Sequence, residues 1–150
     1  MEVIVEKEIK KIHIQVFNPI VKHQLVTTTE VVRIEQTNEY TRIDFIYSPS
    51  KEYVSGWWVH IDKSTFIRPV GNSEKFYLIS AENISYAPKK TYLKGANALH
   101  CYTLYFPKLP DNTKAIDIIE CESSSDSKWF NFYSVSLEKV HTERIVVNNS

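Results

Sequence analysis

Strict alternation of apolar and polar residues in several stretches constrains the fold of this chain more than any other feature. In Lys11-Ile12-His13-Ile14-Gln15-Val16 and in Arg42-Ile43-Asp44-Phe45 every second side chain is apolar. Trp57, Val59 and Ile61 interleave with Trp58, His60 and Asp62 in the same way, as do Tyr102, Leu104 and Phe106 with Cys101, Thr103 and Tyr105. Successive side chains of a strand point to opposite faces, so this is the pattern of half-buried strands. Helical i, i+3, i+4 spacing is not sustained over any long stretch. The β-branched and aromatic residues, 13% aromatic in all, suit a pleated surface.

Turn signals recur at short intervals, which predicts about eight or nine strands in an antiparallel sandwich. Asn18-Pro19 follows the first long strand, and Thr37-Asn38-Glu39 reads as a hairpin connection between two alternating runs. Ser48-Pro49-Ser50 ends the next strand, and Gly71-Asn72-Ser73 separates Phe66-Ile67-Arg68 from Phe76-Tyr77-Leu78-Ile79. Ala87 to Lys90 and Pro107 to Asn112 open further loops, and Glu122 to Asp126 reads as a Ser-rich acidic hairpin tip. The 150 residues fit one domain, a size that buries about 70% of its unfolded surface. From Glu138 onward the chain either adds an edge strand through Arg144-Ile145-Val146-Val147 or frays.

The stretch from Tyr102 to Glu120 carries the sharpest expectation. Pro107 and Pro110 end one strand, because neither can donate a ladder hydrogen bond. A fold-back around Asp111 would set Leu104 against Ile118 and Phe106 against Ile116, both pairs on one face. That register also places Cys101 opposite Cys121, and in a non-hydrogen-bonded pair the Cα atoms lie about 4.5 Å apart, within reach of a disulfide. A one-residue bulge would instead leave two unbridged thiols. There is no Cys-x-x-Cys redox motif.

Several function classes are disfavoured by composition. Eighteen basic residues balance 18 acidic ones and are interspersed with them, so there is no electrostatic footprint for nucleic acid or an anionic membrane. The three glycines, Gly56, Gly71 and Gly95, are too far apart to cradle a phosphate. No apolar run approaches the ~18 residues of a membrane-spanning helix, and the N-terminus lacks a signal peptide's apolar core. The compartment reads as cytoplasmic, or as periplasm or cell envelope if an export signal has been removed.

The run Leu104-Tyr105-Phe106-Pro107-Lys108-Leu109-Pro110, then Thr113, Ile116 to Glu120 and Trp129-Phe130-Asn131-Phe132-Tyr133, resembles an uncharacterised immunoglobulin-like domain that recurs in Bacteroidetes proteins, often exported ones. Trp57-Trp58-Val59 and Phe76 to Ile84 are similar to its middle strands, and the resemblance spans about residues 25–137. Ser134 stands where that pattern has glycine in the final strand. The resemblance implies an immunoglobulin-like sandwich with no catalytic residues to carry over, and an interaction role in the bacterial envelope.

Residue by residue, the chemistry-bearing constellations are incomplete. His13, His23, His60, His100 and His141 form no ligand-spaced pair and read as surface histidines; His100 with Cys101 and Cys121 stops at three ligands, so neither metal nor cofactor is expected. No nucleophile elbow occurs, and Asp117, Glu120 and Glu122 read as solvent-facing charges. Trp57 and Trp58 must face opposite ways, and Trp129, Asn131 and Tyr133 lie opposite Phe130 and Phe132. Trp58, Trp129 and Tyr133 are therefore the candidate ligand-binding residues, able to stack on a sugar or anchor a protein. The expected function is a non-catalytic module binding a protein partner, with carbohydrate binding as one alternative. An enzyme of unrecognised type is the other, and it requires a concave pocket with at least two convergent titratable groups.

Overall fold

The computed structural model describes residues 9–48, 58–93, 98–124, 126, 128–139 and 144–149. Among these, every regular element is a strand: β1 (Ile9–Gln24), β2 (Thr29–Gln36), β3 (Tyr40–Tyr47), β4 (Trp58–Ile61), β5 (Phe66–Pro69), β6 (Phe76–Tyr77), β7 (Ser80–Glu82), β8 (Ser85–Tyr86), β9 (Thr91–Tyr92), β10 (His100–Pro107), β11 (Ala115–Ile119), β12 (Phe132–Lys139) and β13 (Arg144–Asn149). The expected all-β class is therefore observed. Nine strands join in one curled antiparallel sheet in the order β6-β5-β11-β12-β1-β2-β3-β10-β7, with β13 pairing β1 beside them. A second, smaller sheet has the order β8-β4-β9.

The two ends of the large sheet are one continuous piece of chain. Phe76 and Tyr77 pair with Ile67 and Phe66 of β5, while Ser80, Ala81 and Glu82 pair with Tyr105, Leu104 and Thr103 of β10. Between them the Leu78 N–H donates to the Thr65 carbonyl at 2.8 Å, and the Ile79 N–H to the Tyr105 carbonyl at 2.8 Å. Segment 76–82 thus satisfies both edges, and the sheet closes on itself.

Alternation in the sequence maps directly onto this closed sheet. Along β3, Thr41, Ile43, Phe45 and Tyr47 are buried while Tyr40, Arg42, Asp44 and Ile46 are partly exposed. Tyr102, Leu104 and Phe106 of β10 and Ile116 and Ile118 of β11 fill the same core. The Thr37-Asn38-Glu39 turn forms as expected: Thr37 donates its N–H to the Tyr40 carbonyl, and its hydroxyl oxygen accepts the N–H groups of Glu39 and Tyr40. Residues from Arg144 do form an edge strand, along Ile9–Ile14 of β1.

The Tyr102–Cys121 hairpin does not form. Both edges of β10 are already occupied, by β3 along its whole length and by β7 at Thr103–Tyr105. β11 is likewise held between β12 and β5. The proline-bracketed connection instead carries the chain across the sheet opening, and Leu109 packs into the core on the way. Leu104, Phe106, Ile116 and Ile118 share an interior as anticipated, but from strands that are not neighbours. Cys101 lies opposite Ile46, Cys121 follows the end of β11, and both thiols are free.

Ser134 has an unusual backbone conformation. Its φ is +50°, in the left-handed region that favours glycine, and the β11–β12 register slips by one residue at the same place. Asp117 holds this bulge: one carboxylate oxygen accepts the Ser134 N–H at 2.9 Å and the other accepts Arg68 Nε at 3.1 Å.

Two outcomes follow from this arrangement. Ile79 is 59% exposed, so Ile79→Ala should change stability by no more than about 0.5 kcal/mol. Ile79→Pro removes the seam N–H and should cost on the order of 2 kcal/mol in chemical denaturation. Equal midpoints for the two variants would show that the seam does not matter. For the cysteines, a thiol reagent added to native protein without reductant should label Cys101, and mass spectrometry should show no intramolecular disulfide.

Candidate functional site

The small sheet lies against the large one with Val59 and Ile61 of β4 in the common core. The period of two then turns Trp58 and His60 the other way. They form one wall of a cleft of about 590 Å³. Trp129 and Phe130, in the segment leading into β12, form the other wall, with Tyr47 and Glu120 also lining the space. Of the three aromatic candidates, Trp58 and Trp129 line this cleft. Tyr133 is elsewhere: it faces His23, its partner in the β1–β12 register, with ring centroids 5.8 Å apart. Trp57 and His141 lie outside the described residues, as does the side chain of His13.

Glu120 was expected to face solvent and is buried instead. The reason is visible in its neighbours. Ile118 and Ile119 are consecutive and both buried, so alternation stops at the end of β11 and the chain turns inward. One Glu120 carboxylate oxygen accepts the Asp62 N–H at 3.0 Å, and the other accepts the Phe130 N–H at 3.0 Å. Asp62 directly follows β4 and Phe130 precedes β12. A single carboxyl therefore ties the Trp58 wall to the Trp129 wall.

Burial pushes the Glu120 carboxyl up from its ordinary 4.5 to about 7; the two N–H donors pull the other way, and the nearby Asp62 charge adds to the rise. Asp62 itself is held below its ordinary value, first by the Ser64 N–H and then by the Ser64 hydroxyl. Tyr102, fully enclosed, is raised well above its ordinary value by burial, then by Glu120 and Tyr47. Its hydroxyl has no hydrogen-bond partner among the described residues. His60 is lowered mainly by burial and remains neutral near pH 7. Its Nδ1 is buried and has no hydrogen-bond partner among the described residues, so it is not the plain surface histidine that was expected.

Asn131 was also placed on the outer face with Trp129, yet it is fully buried. Its side-chain oxygen accepts the Glu120 and Cys121 N–H groups at 2.8 and 3.0 Å, and its amide nitrogen donates to the Cys121 carbonyl at 2.7 Å. These bonds shape residues 120–131, the β11–β12 connection, so that Glu120 and Trp129 meet at the cleft. Asp117 and Glu122 are the outer charges: Asp117 pairs with Arg68, and Glu122 with Arg68 and Lys75.

Each indole carries one of the protein's own cations. Lys90 Nζ lies 4.5 Å from the Trp58 ring centroid, and Lys128 Nζ lies 5.4 Å from that of Trp129. Among the described residues no group of three or more His, Cys, Asp or Glu is placed to hold a metal ion, and His100 instead contacts the Asn83 carbonyl. No helix among them is long and apolar enough to cross a membrane. No family model, curated protein or solved structure matches the chain.

Because Glu120 has a raised pKa in the folded chain, the native state binds more protons than the unfolded state between about pH 4.5 and 7. Stability should therefore fall as pH rises through that window, by on the order of 3 kcal/mol in total, and level off above it. Glu120→Gln cannot ionise, so denaturation series from about pH 5 to 8 should show a shallower slope for the variant. Parallel slopes would place the titration elsewhere.

Proposed function

We propose that the chain is a non-catalytic glycan-binding module whose cleft takes a sugar ring between Trp58 and Trp129. The observation that carries this reading is the presence of both indoles in the walls of one cleft, with polar groups between them. A pyranose presents apolar C–H faces and a polar rim, so it suits flat aromatic walls combined with a few buried hydrogen-bonding groups. The cleft volume of about 590 Å³ is in the range of small-ligand sites. The resemblance to an immunoglobulin-like envelope domain is in keeping with the same broad role, a module that binds without reacting. It is also the basis for a protein partner as the ligand. In that case the two indoles would take a side chain of that partner.

An enzyme is the second reading, favoured by one observation. Glu120, poised near 7, and His60 are two titratable groups lining one cleft. A protonated buried carboxyl can serve as a general acid.

Titration of intrinsic tryptophan fluorescence with a panel of oligosaccharides should show saturable changes. Trp58→Ala and Trp129→Ala should each weaken binding about tenfold or more, roughly 1.4 kcal/mol, and Tyr133→Ala should leave it unchanged. Ligand recovered intact after prolonged incubation supports the binding module. Turnover that Glu120→Gln abolishes would establish the enzyme instead.

A further inference from the structure

We propose that the sugar taken by this cleft is uncharged, that Glu120 and His60 read its hydroxyls, and that rings bearing a carboxylate or an ammonium are rejected. The inference rests on the glycan-binding reading above and specifies the class of ring.

The aromatic walls weigh against a cation. An indole face attracts ammonium groups, but Lys90 already lies over Trp58 and Lys128 over Trp129. A cationic ligand would have to displace one of these ammonium groups and would be repelled by the other. An apolar C–H face meets no charge repulsion from them, because it stacks by dispersion and exclusion of water.

The interior of the cleft weighs against an anion. Glu120 is buried with both oxygens already engaged by backbone N–H groups, and Asp62 lies beside it. An incoming carboxylate would approach a buried acid with its own solvation removed, which is costly without a dedicated cation. Among the described residues the cations beside the cleft are Lys90 and Lys128, each held over an indole ring. His60, neutral near pH 7, supplies a ring nitrogen rather than a charge.

What remains suits hydroxyl groups. Protonated Glu120 can donate one hydrogen bond beyond the two it accepts, and ionised Glu120 cannot. His60 lines the cleft with one ring nitrogen, Nδ1, enclosed and without a partner among the described residues, and its imidazole can donate or accept according to tautomer. The groups that bear on Glu120 are Asp62 just after β4 and Tyr102 of β10, with Tyr47, His60, Asp126 and Lys128 also lining the cleft. Of these, Glu120 is the one placed to titrate near neutrality.

The test is a glycan array of neutral, acidic and amine-bearing members probed with the purified protein, followed by solution titration of the best ligand and its charged counterparts. Neutral glycans should be retained. Exchange of a hydroxymethyl for a carboxylate, or of a hydroxyl for an ammonium, should weaken binding at least ~10-fold. Binding of the neutral ligand should also be tighter near pH 6 than near pH 8, and Glu120→Gln should remove that difference. Preference for an acidic or amine-bearing glycan, lost in Trp58→Ala, would overturn the inference while leaving the glycan-binding reading intact. Failure to retain any glycan would overturn both. If Glu120→Gln does not fold by circular dichroism, the charged-counterpart comparison in the wild-type protein decides the matter alone.

Discussion

The seven strands from β5 to β10 in sheet order have two edges whose N–H and C=O groups need partners, and here one seven-residue segment, Phe76 to Glu82, pairs with both. The consequences reach well beyond the seam. With its edges consumed, the sheet encloses a single interior filled from every side by Ile34, Ile43, Phe106, Ile116, Phe132 and Val135, all fully buried. Closure removes the open edges that invite pairing with other chains. It also determines what the rest of the chain can do, since β10 and β11 have no free edge to offer each other.

The small β8-β4-β9 sheet depends on that closed interior for its own stability. Two to four residues per strand cannot stand alone in water. Val59 and Ile61 anchor it in the core, the Ala87 N–H bonds to the Ile61 carbonyl, and the Glu120 carboxyl accepts the Asp62 N–H. The cleft exists because β4 is bound on one face only. Trp58 and His60, on its other face, line the cleft together with Trp129. Glu120 serves as both hinge point and floor, and its proton equilibrium near neutrality links the strength of that tie to the chemistry of the cleft.

Much of the fold could be read directly from alternation. The period of two along Arg42–Phe45 and Tyr102–Phe106 gave the buried face correctly, because burial on one face of a strand is a local property of the pattern. Thr37-Asn38-Glu39 was legible as a turn because its own side-chain and backbone groups make it. The pairing of β10 failed for the opposite reason. Which strand occupies which edge is settled by competition among all strands, and the symmetry of Cys101 and Cys121 about Asp111 is blind to that contest. Ser134 sits between the two cases: its left-handed backbone is not signalled by the residue type, and Asp117 from β11 braces it.

The site divides along the same line. By itself the sequence set Trp58 on the strand face opposite Val59 and Ile61, which enter the core, but it could not do the same for Trp129, which precedes β12 in a stretch where Phe130, Asn131 and Phe132 are all buried. It did not determine that the two indoles would line one cleft, because 71 positions separate them and only the docking of β4 beside the β11–β12 connection brings them together. Glu120 and Asn131 were misread for a physical reason. A polar side chain looks outward by pattern, and its burial is permitted only by partners that the tertiary structure supplies, here the Asp62 and Phe130 N–H groups for Glu120 and the Cys121 backbone for Asn131. Side-chain direction along a strand was written in the sequence. Strand pairing, and the burial of the one carboxyl on which the cleft turns, were decided by the closed sheet.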